Sequence, residues 1–535
     1  MGRDRRPSPG TSVVKTVGCR YERQAPDYLP MPSTSTPLRP LRLRLALFLS
    51  GAAVMVLQIL GTRLIAPQFG SGLNVWTALI TVTLVALALG YWQGGGLADR
   101  RPHAVTLSAV LLVAAVLVAL IPWLRLPVLE LGWTLGLRWG ALFSSFLLFF
   151  PPLFLLGMVS PFAIRLEAAE VATAGRSAGR LYAISTSGSV VGALLAGLVL
   201  VPHLRLPVLL AGLAWTLILA ALLVASPDRR RAVAAAGIAG FALLPARPQP
   251  RPPGLLEACY RDGSDLRVIE HEGNRYLFAD QTVQSGMAAN GRSLDKYAYF
   301  LAARVLMARP QATTGALIGL GGGGMVPLLS QGGMDWTGVD LSPEVIRLAQ
   351  RHFGLSLPDS RLHAMDGRVF LHLQPGQFDV VVLDAFNGDS LAWSLISREG
   401  LATAKAALAP GGLLAVNTWG IDERQGAPNR LGSAVRATLQ EVFVEVLAVP
   451  ADGNLLFFAS DQPIRPERGP VTLACFDGPR TFQWLQVPST AWEDVQMITD
   501  ERNFADLFHQ NTIEILRSQR YYNYPQMIRA ALAWE

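Results

Sequence analysis

The chain has 535 residues, of which 51% are apolar and only 16% charged, with a formal net charge of +7. That composition is too oily for an ordinary soluble enzyme, and the length allows more than one domain. The positive balance does not mark a nucleic-acid surface, because the arginines cluster in the amino-terminal tail and between apolar stretches, where they orient a membrane protein. Cys19, Cys259 and Cys475 lie far apart and the seven histidines are scattered, so neither a disulfide framework nor a metal site is expected.

Residues 1–41, rich in Arg, Pro, Ser and Thr and without periodicity, read as a disordered basic tail. The first apolar run begins too late for a cleavable signal and leads straight into further spans. Six stretches follow: Leu45 to Ile65, Val75 to Gln93, Val105 to Trp123, Ala141 to Ile164, Tyr182 to Val201 and Leu206 to Ala225. Each has the roughly 20 residues needed to cross the hydrocarbon core. Residues 42–244 thus read as a multi-pass α-helical bundle of six to eight spans, Ala232 to Leu244 being a marginal seventh and Leu126 to Leu137 a candidate hidden crossing. With six spans, Arg39, Arg42 and Arg44, then Arg100-Arg101, then Arg229-Arg230-Arg231 fall on one side, the cytoplasm, together with the carboxy-terminal half. Gly188, Gly192 and Ala196 are spaced for close helix packing in lipid. No span carries the paired acid and base at mid-depth that an ion relay needs.

Residues 245–255, Pro-rich, form a stiff linker. Residues 256–292 alternate polar and apolar residues, with turn signals at Asp262-Gly263 and Glu272-Gly273-Asn274, and read as a β-hairpin subdomain. Leu294 to Met307 has helical periodicity. Gly315-Ala-Leu-Ile-Gly319-Leu-Gly321-Gly-Gly323-Gly324 is then a buried strand turning tightly into a helix. Trp336 to Val339 ends in Asp340, and Ser342-Pro343-Glu344 opens a helix. A third run leads to Asp366-Gly367, and a fourth, Phe378 to Leu383, ends in Asp384. Leu413 to Val416 is a further strand, and Val442 to Val449 with Asn454 to Ala459 closes the set as an antiparallel pair. Strands alternating with helices make residues 293–462 a Rossmann-like, doubly wound α/β domain, with ligands beyond the carboxyl ends of the strands. Residues 463–535 are an extension that packs on one of the two halves, with a helical run from Phe504 to Arg517 and no assigned chemistry.

Asp340 stands about 20 residues beyond the glycines, where an acid reaches a ribose diol. Asp366 is placed for an adenine amino group. The turn lacks a following Lys-Ser/Thr pair, which argues against a phosphate-gripping P-loop. The plain alternative is that these acids only cap strands and helices.

Residues 256 to 462 resemble the spermidine synthases, the polyamine aminopropyltransferases. The resemblance rests on Asp280-Gln-Thr-Val-Gln284-Ser, the helix with Asp295 and Tyr299, the glycine turn, Val339-Asp340-Leu-Ser-Pro-Glu-Val-Ile, Met365-Asp366-Gly367-Arg-Val-Phe and Asp379-Val-Val-Val-Leu-Asp384. The membrane half, with Asp384-Ala-Phe-Asn-Gly-Asp-Ser390, resembles the bacterial membrane-fused branch. The resemblance implies aminopropyl transfer from decarboxylated S-adenosylmethionine, a co-substrate rather than a tightly bound cofactor. The acceptor would be a small-molecule amine such as putrescine, and the place the bacterial inner membrane. It also implies that Gln284, Gly319, Gly321, Gly323, Asp340, Asp366 and Gly367 hold the donor. Asp384 would orient the amine and take its proton, while Tyr299, Asn387 and Asp389 line the amine pocket. The implied partners are the amine and the lipid bilayer, with no nucleic acid and no metal, and a homodimer is admitted.

The chain departs from the family pattern in four places. Gly323 replaces the acid that grips the donor's free amine. Phe300-Leu301 replaces the usual His-Glu after Tyr299. Asn387 replaces a second acid, with Asp389 nearby, and a Trp-Gly-Phe is missing around Gly453. Two other readings stay open. One is a methyltransferase using S-adenosylmethionine on the same fold. The other is a membrane transporter or sensor whose soluble half only binds a nucleoside or polyamine.

Overall fold

The computed structural model of the chain describes residues 40–69, 73–167, 174–226, 251–261, 264–279, 282–387, 390–419, 421–422, 427–484 and 492–501, with isolated positions at 230, 232 and 234. Among the described residues, six helices are long and apolar enough to cross a membrane. They are α1 (Pro40–Phe69), α2 (Leu73–Arg100), α3 (Ala104–Trp133), α4 (Gly136–Glu167), α5 (Ala174–Leu195, continued by a π turn to His203) and α6 (Leu206–Val224). Each expected span falls within one of them, except that Ala225 lies one residue past the end of α6.

Leu126 to Leu137 is not a further crossing. The helix α3 runs unbroken through Pro122 and Pro127 to Trp133, so this stretch is mostly its last two turns. Proline is tolerated there because neighbouring helices can satisfy the freed carbonyls. Ala232 to Leu244 lies almost wholly outside the described residues. The small residues of α5 do pack closely: a Cβ on Gly188 would come within 2.1 Å of Phe48 O, and one on Gly192 within 2.6 Å of Ala52 O, both on α1.

The soluble half opens with a four-stranded antiparallel sheet, β1 (Leu255–Arg261), β2 (Ser264–His271), β3 (Asn274–Ala279) and β4 (Thr282–Met287), paired in chain order. Glu272 and Gly273 turn the β2–β3 hairpin with φ of 52° and 76°, the double left-handed conformation that a two-residue hairpin requires. Asp262-Gly263 lies outside the described residues.

The helix α7 (Lys296–Ala308) leads into the main domain. Its strands are β5 (Thr314–Ile318), β6 (Asp335–Asp340), β7 (Leu362–Ala364), β8 (Phe378–Leu383), β9 (Leu408–Thr418), β10 (Glu445–Ala451) and β11 (Asn454–Ser460). They form one sheet in the order β10-β11-β9-β8-β5-β6-β7. β7, β6, β5, β8 and β9 are parallel, and β11 runs antiparallel to β9 and β10. Alternation sets the two faces. Val380 and Val382 pack with Leu301 and Leu306 on one side, while Val381 and Leu383 pack with Ala316, Ile318 and Leu414 on the other.

The connecting helices start where cap residues put them. In α8 (Pro343–His352) the Ser342 hydroxyl accepts the Val345 amide, Pro343 sits in the first turn, and Arg351 and His352 end the helix near its negative pole. Asp366 caps α9 (Gly367–His372), Ser397 caps α10 (Arg398–Ala407) and Asn429 caps α11 (Arg430–Val442).

From β5 the chain steps outward through β6 and β7, then returns to β8 on the other flank of β5. The connections after β5 and β8 therefore leave in opposite directions and open a crevice between the strand tips. Ile318 pairs with Val339 on one side and Leu383 on the other, so Gly319, Asp340 and Asp384 all follow one line across the sheet.

The extension packs on this domain. A hairpin of β12 (Val471–Cys475) and β13 (Gly478–Phe482) sets the Phe482 ring edge-on to Phe300 of α7, with centroids 5.0 Å apart. Ile498 donates its amide to Thr438 Oγ1 at 2.9 Å, and Asp500 accepts from Arg368 and Ser397. The expected run Phe504 to Arg517 lies outside the described residues.

Candidate active site

Asp384 sits at the head of the crevice. Its amide donates to Ile318 O at 2.8 Å, which ties the tip of β8 to that of β5. Tyr297, in the first turn of α7, donates its hydroxyl to Oδ2 at 2.9 Å, and Asn417 on β9 donates its amide to Oδ1 at 2.7 Å. Asn454 of β11 in turn donates to Asn417 Oδ1 at 2.7 Å, so both asparagines are oriented. Burial pushes the carboxyl up to about 7, the two hydrogen bonds oppose that rise, and the nearby Asp295 charge adds to it.

The glycine turn lies against this carboxylate's backbone. Gly319 has φ +92°, and a Cβ there would sit 2.3 Å from Asp384 O, so only glycine lets the two strand tips approach. A Cβ on Gly321 would meet Ser285 Oγ at 2.4 Å, and that hydroxyl accepts the Gly322 amide at 2.8 Å. The hairpin sheet thereby closes one side of the turn, with Gln284 next to Ser285 on β4. Gly323 has φ +74°, and its missing Cβ would lie 2.8 Å from Leu355 Cδ1. An acid at 323 would need Leu355 to move and a strained backbone. A Cβ on Gly367 would meet Ile318 Cγ2 at 2.2 Å, so that glycine lets α9 seat on β5.

Asp340 bridges the turn to the next connection. Oδ2 accepts the Leu320 amide at 3.0 Å and Oδ1 the Ser342 amide at 2.9 Å. A carboxylate offers about four lone-pair sites, and the Gly321 amide also favours the Asp340 ion, so acceptor capacity remains for a ligand hydroxyl. Burial raises its pKa against the backbone amides that stabilise the ion. Asp366 is exposed, and its Oδ1 accepts the Val369 amide at 3.0 Å as a helix cap.

Tyr299 is not where the family pattern implies. It is 2% exposed, in the core, and its hydroxyl donates to Ser293 O at 2.7 Å. Helical geometry explains the difference: residues two apart point about 200° from one another, and it is Tyr297 that reaches the carboxylate. Burial pushes the Tyr299 phenol up to about 12. Asp389 lies outside the described residues, and of Asn387 only the backbone, in a short strand with Phe386, is described.

Tyr297, Asn417, Asn454 and Ser285 were not singled out from the sequence. Asn417 carried a readable signal, being a polar residue at the carboxyl tip of an apolar strand. The residues after the tips of β8 and β9 add an aromatic pair, Phe386 and Trp419, edge to face with centroids 5.6 Å apart. The crevice thus combines a carboxylate with a pKa raised to about 7, a turn that admits close backbone approach, a second acid hydrogen-bonded to that turn, and an aromatic flank. That set suits an adenosyl compound and an amine.

The chain is similar in part to several known proteins. A methyltransferase-domain family model matches residues 317–412. The polyamine aminopropyltransferase of Vibrio vulnificus is 31% identical over 197 residues, which are 34% of this chain and 62% of that protein. That of Neisseria meningitidis serogroup A is 30% identical over 169 residues, 29% of this chain and 62% of the relative. The chain thus spans less than two thirds of either relative. Among solved structures, a probable spermidine synthase from Corynebacterium glutamicum superposes with a TM-score of 0.34 at 19% identity, covering 39% of this chain and 80% of that one. By its sequence, the soluble half of this chain is similar to the polyamine aminopropyltransferases.

Proposed function

We propose that the soluble half transfers the aminopropyl group of decarboxylated S-adenosylmethionine to a small amine such as putrescine, at the cytoplasmic face of a bacterial inner membrane. The observation that supports this most is Asp384: a carboxylate at the switch point, beside the glycine turn, with a pKa of about 7. A base works best when its pKa lies near the working pH.

In this reading Asp340 and the turn from Gly319 to Gly323 hold the nucleoside, with Gln284 and Asp366 at its edges. Asp384 attracts the acceptor's ammonium and takes its proton. The freed nitrogen lone pair attacks the aminopropyl carbon bonded to sulfur. The C–S bond breaks with its electrons going to sulfur, and the sulfonium leaves as a neutral thioether. Holding nucleophile and carbon in line supplies most of the acceleration, since the leaving group is already activated. Phe386 and Trp419 offer an apolar flank for the amine's methylenes and a cation–π face for its charge. Asn387 and Asp389 remain candidates for the far end of the amine. The six helices and the arginines between them support attachment to the membrane with this half inside. The test is mass-spectrometric detection of the aminopropylated amine from purified protein, and its loss in Asp384→Ala. No such product with any common diamine sinks the proposal.

A second reading, methyl transfer from S-adenosylmethionine, is favoured by one observation. Gly323 supplies no acid to repel the carboxylate of that donor, and Leu355 fills the space an acid would start from. Calorimetry with both donors separates the two: tighter binding of the carboxylated one favours methyl transfer.

A further inference from the structure

Two asparagine side chains are buried in an otherwise apolar stretch of the sheet. Asn417, near the end of β9, and Asn454, the first residue of β11, are 1% and 3% exposed. Alternation puts both on the face covered by α7, in line with Leu413 and Ala415 on β9 and with Leu456 and Phe458 on β11. Asn417 stands opposite Leu456, so Asn454 is its diagonal neighbour. Asp452 and Gly453, with φ of 50° and 85°, close a two-residue turn that pairs Ala451 with Asn454 and fixes where that side chain starts. Buried amides are unfavourable unless their hydrogen bonds are made. Apolar side chains fill the neighbouring positions, so packing alone does not require two amides here.

The hydrogen bonds between them have a direction. Asn454 Nδ2 donates to Asn417 Oδ1 at 2.7 Å, and Asn417 Nδ2 donates to Asp384 Oδ1 at 2.7 Å. An amide has a donor end and an acceptor end of nearly the same shape. Turned about, Asn417 would present its oxygen to Asp384. An ionised carboxylate only accepts, while a protonated carboxyl can donate. The orientation seen therefore matches the ion, and the reversed one matches the neutral acid. The donor on Asn417 Oδ1 is Asn454, so Asn454 selects between them. The other groups that act on Asp384 leave this choice alone. Tyr297 reaches Oδ2, and Asp295 acts through its charge, both from the start of α7, while β5 presents the glycine turn. Lys296 and Asp452, the charged pair at the hairpin turn, meet each other at 3.4 Å and are half-exposed.

We propose that Asn454 is a positioning residue: by donating to Asn417 it holds that amide with its NH2 on Asp384, and so keeps the carboxylate in the ionised form that can accept the amine's proton. The effect on rate rests on the reading of Asp384 as the base; the orienting of the amide does not.

The test follows the Asp384 carboxyl itself, by difference infrared titration of the full chain in lipid nanodiscs, with Asp384→Asn identifying the band. Loss of the donor in Asn417→Leu should raise the titration midpoint by about one pH unit. Asn454→Leu should raise it by about half a unit or more, and should add nothing in the Asn417→Leu background. Asn454→Asp, which keeps the shape of the side chain, carries the test if the leucine variant does not fold. Its carboxylate accepts from Asn417 Nδ2 and turns the amide about, so the midpoint should rise further than in Asn454→Leu. That rise should shrink in Asn417→Leu, where only the added charge acts. The acidic limb of kcat should move with the midpoint. A midpoint unmoved in a folded Asn454 variant overturns the proposal. So does a shift as large without Asn417 as with it, which would place the effect of Asn454 in burial alone. A protein that shows these midpoint shifts but forms no aminopropylated product sinks the proposed reaction and leaves the positioning of the carboxylate standing.

Discussion

The Tyr297 hydroxyl and the Asp384 carboxylate meet at 2.9 Å, one from the first turn of α7 and the other from the tip of β8. The bond favours the ionised carboxylate, while burial favours the neutral one, and the balance leaves the group near pH 7. Because the two effects oppose each other, removing either shifts the titration in a known direction.

Tyr297→Phe deletes a bond to the charged form and leaves burial in place. The acidic limb of the rate profile, expected near pH 7 in the native protein, should move up by about one pH unit. Above that limb kcat should return to within a few-fold of the native value. A limb that does not move removes Tyr297 from the pocket.

Asp384→Asn should lower kcat by about 100-fold or more, because the base is gone while the hydrogen-bonding shape remains. It should also stabilise the protein at alkaline pH. The folded carboxyl titrates at about 7 against an ordinary value of 3.8. Between those values the folded state holds a proton that the unfolded state has lost, so native stability falls as pH rises through this window. The loss is on the order of 4 kcal/mol by pH 8. The variant's unfolding midpoint should exceed the native one at pH 8, and the difference should shrink toward pH 4.

Gly323→Asp alone should weaken donor binding, because φ of +74° and the 2.8 Å approach to Leu355 both oppose it. Paired with Leu355→Ala, the acid gains room. The double variant should then prefer decarboxylated over ordinary S-adenosylmethionine by at least about tenfold more than the native protein, an effect of about 1.4 kcal/mol. Calorimetry with both donors reads this directly, and an unchanged ratio would show that position 323 does not meet that part of the donor.

Asp340→Ala removes the acceptor shared by the Leu320 and Ser342 amides. Adenosyl-donor affinity should fall at least about tenfold, with amine affinity little changed, since unpaired buried groups cost about 1–3 kcal/mol each. Equal loss for both ligands would indicate general collapse of the crevice instead.

Much of this molecule is written in local pattern. Six apolar runs of spanning length became six helices because a chain in lipid must satisfy its backbone internally. Ser342, Asp366 and the glycines after Ile318 announced helix starts and a tight turn through residue-specific backbone chemistry. The acids at the ends of apolar runs marked the strand tips, since period and burial alone place Asp340 and Asp384 there.

What local pattern could not carry is anything set by partners distant in sequence. Tyr297 and Asn417 are 87 and 33 residues from Asp384, and only the strand order brings them to it. Choosing Tyr297 over Tyr299 depended on which side of α7 the sheet covers. The titration of Asp384 depended on burial by the whole domain. Sequence settles where a polar group occurs along an element, because that follows from spacing. Tertiary structure settles what the group meets, because solvation and hydrogen bonding are properties of the assembled neighbours.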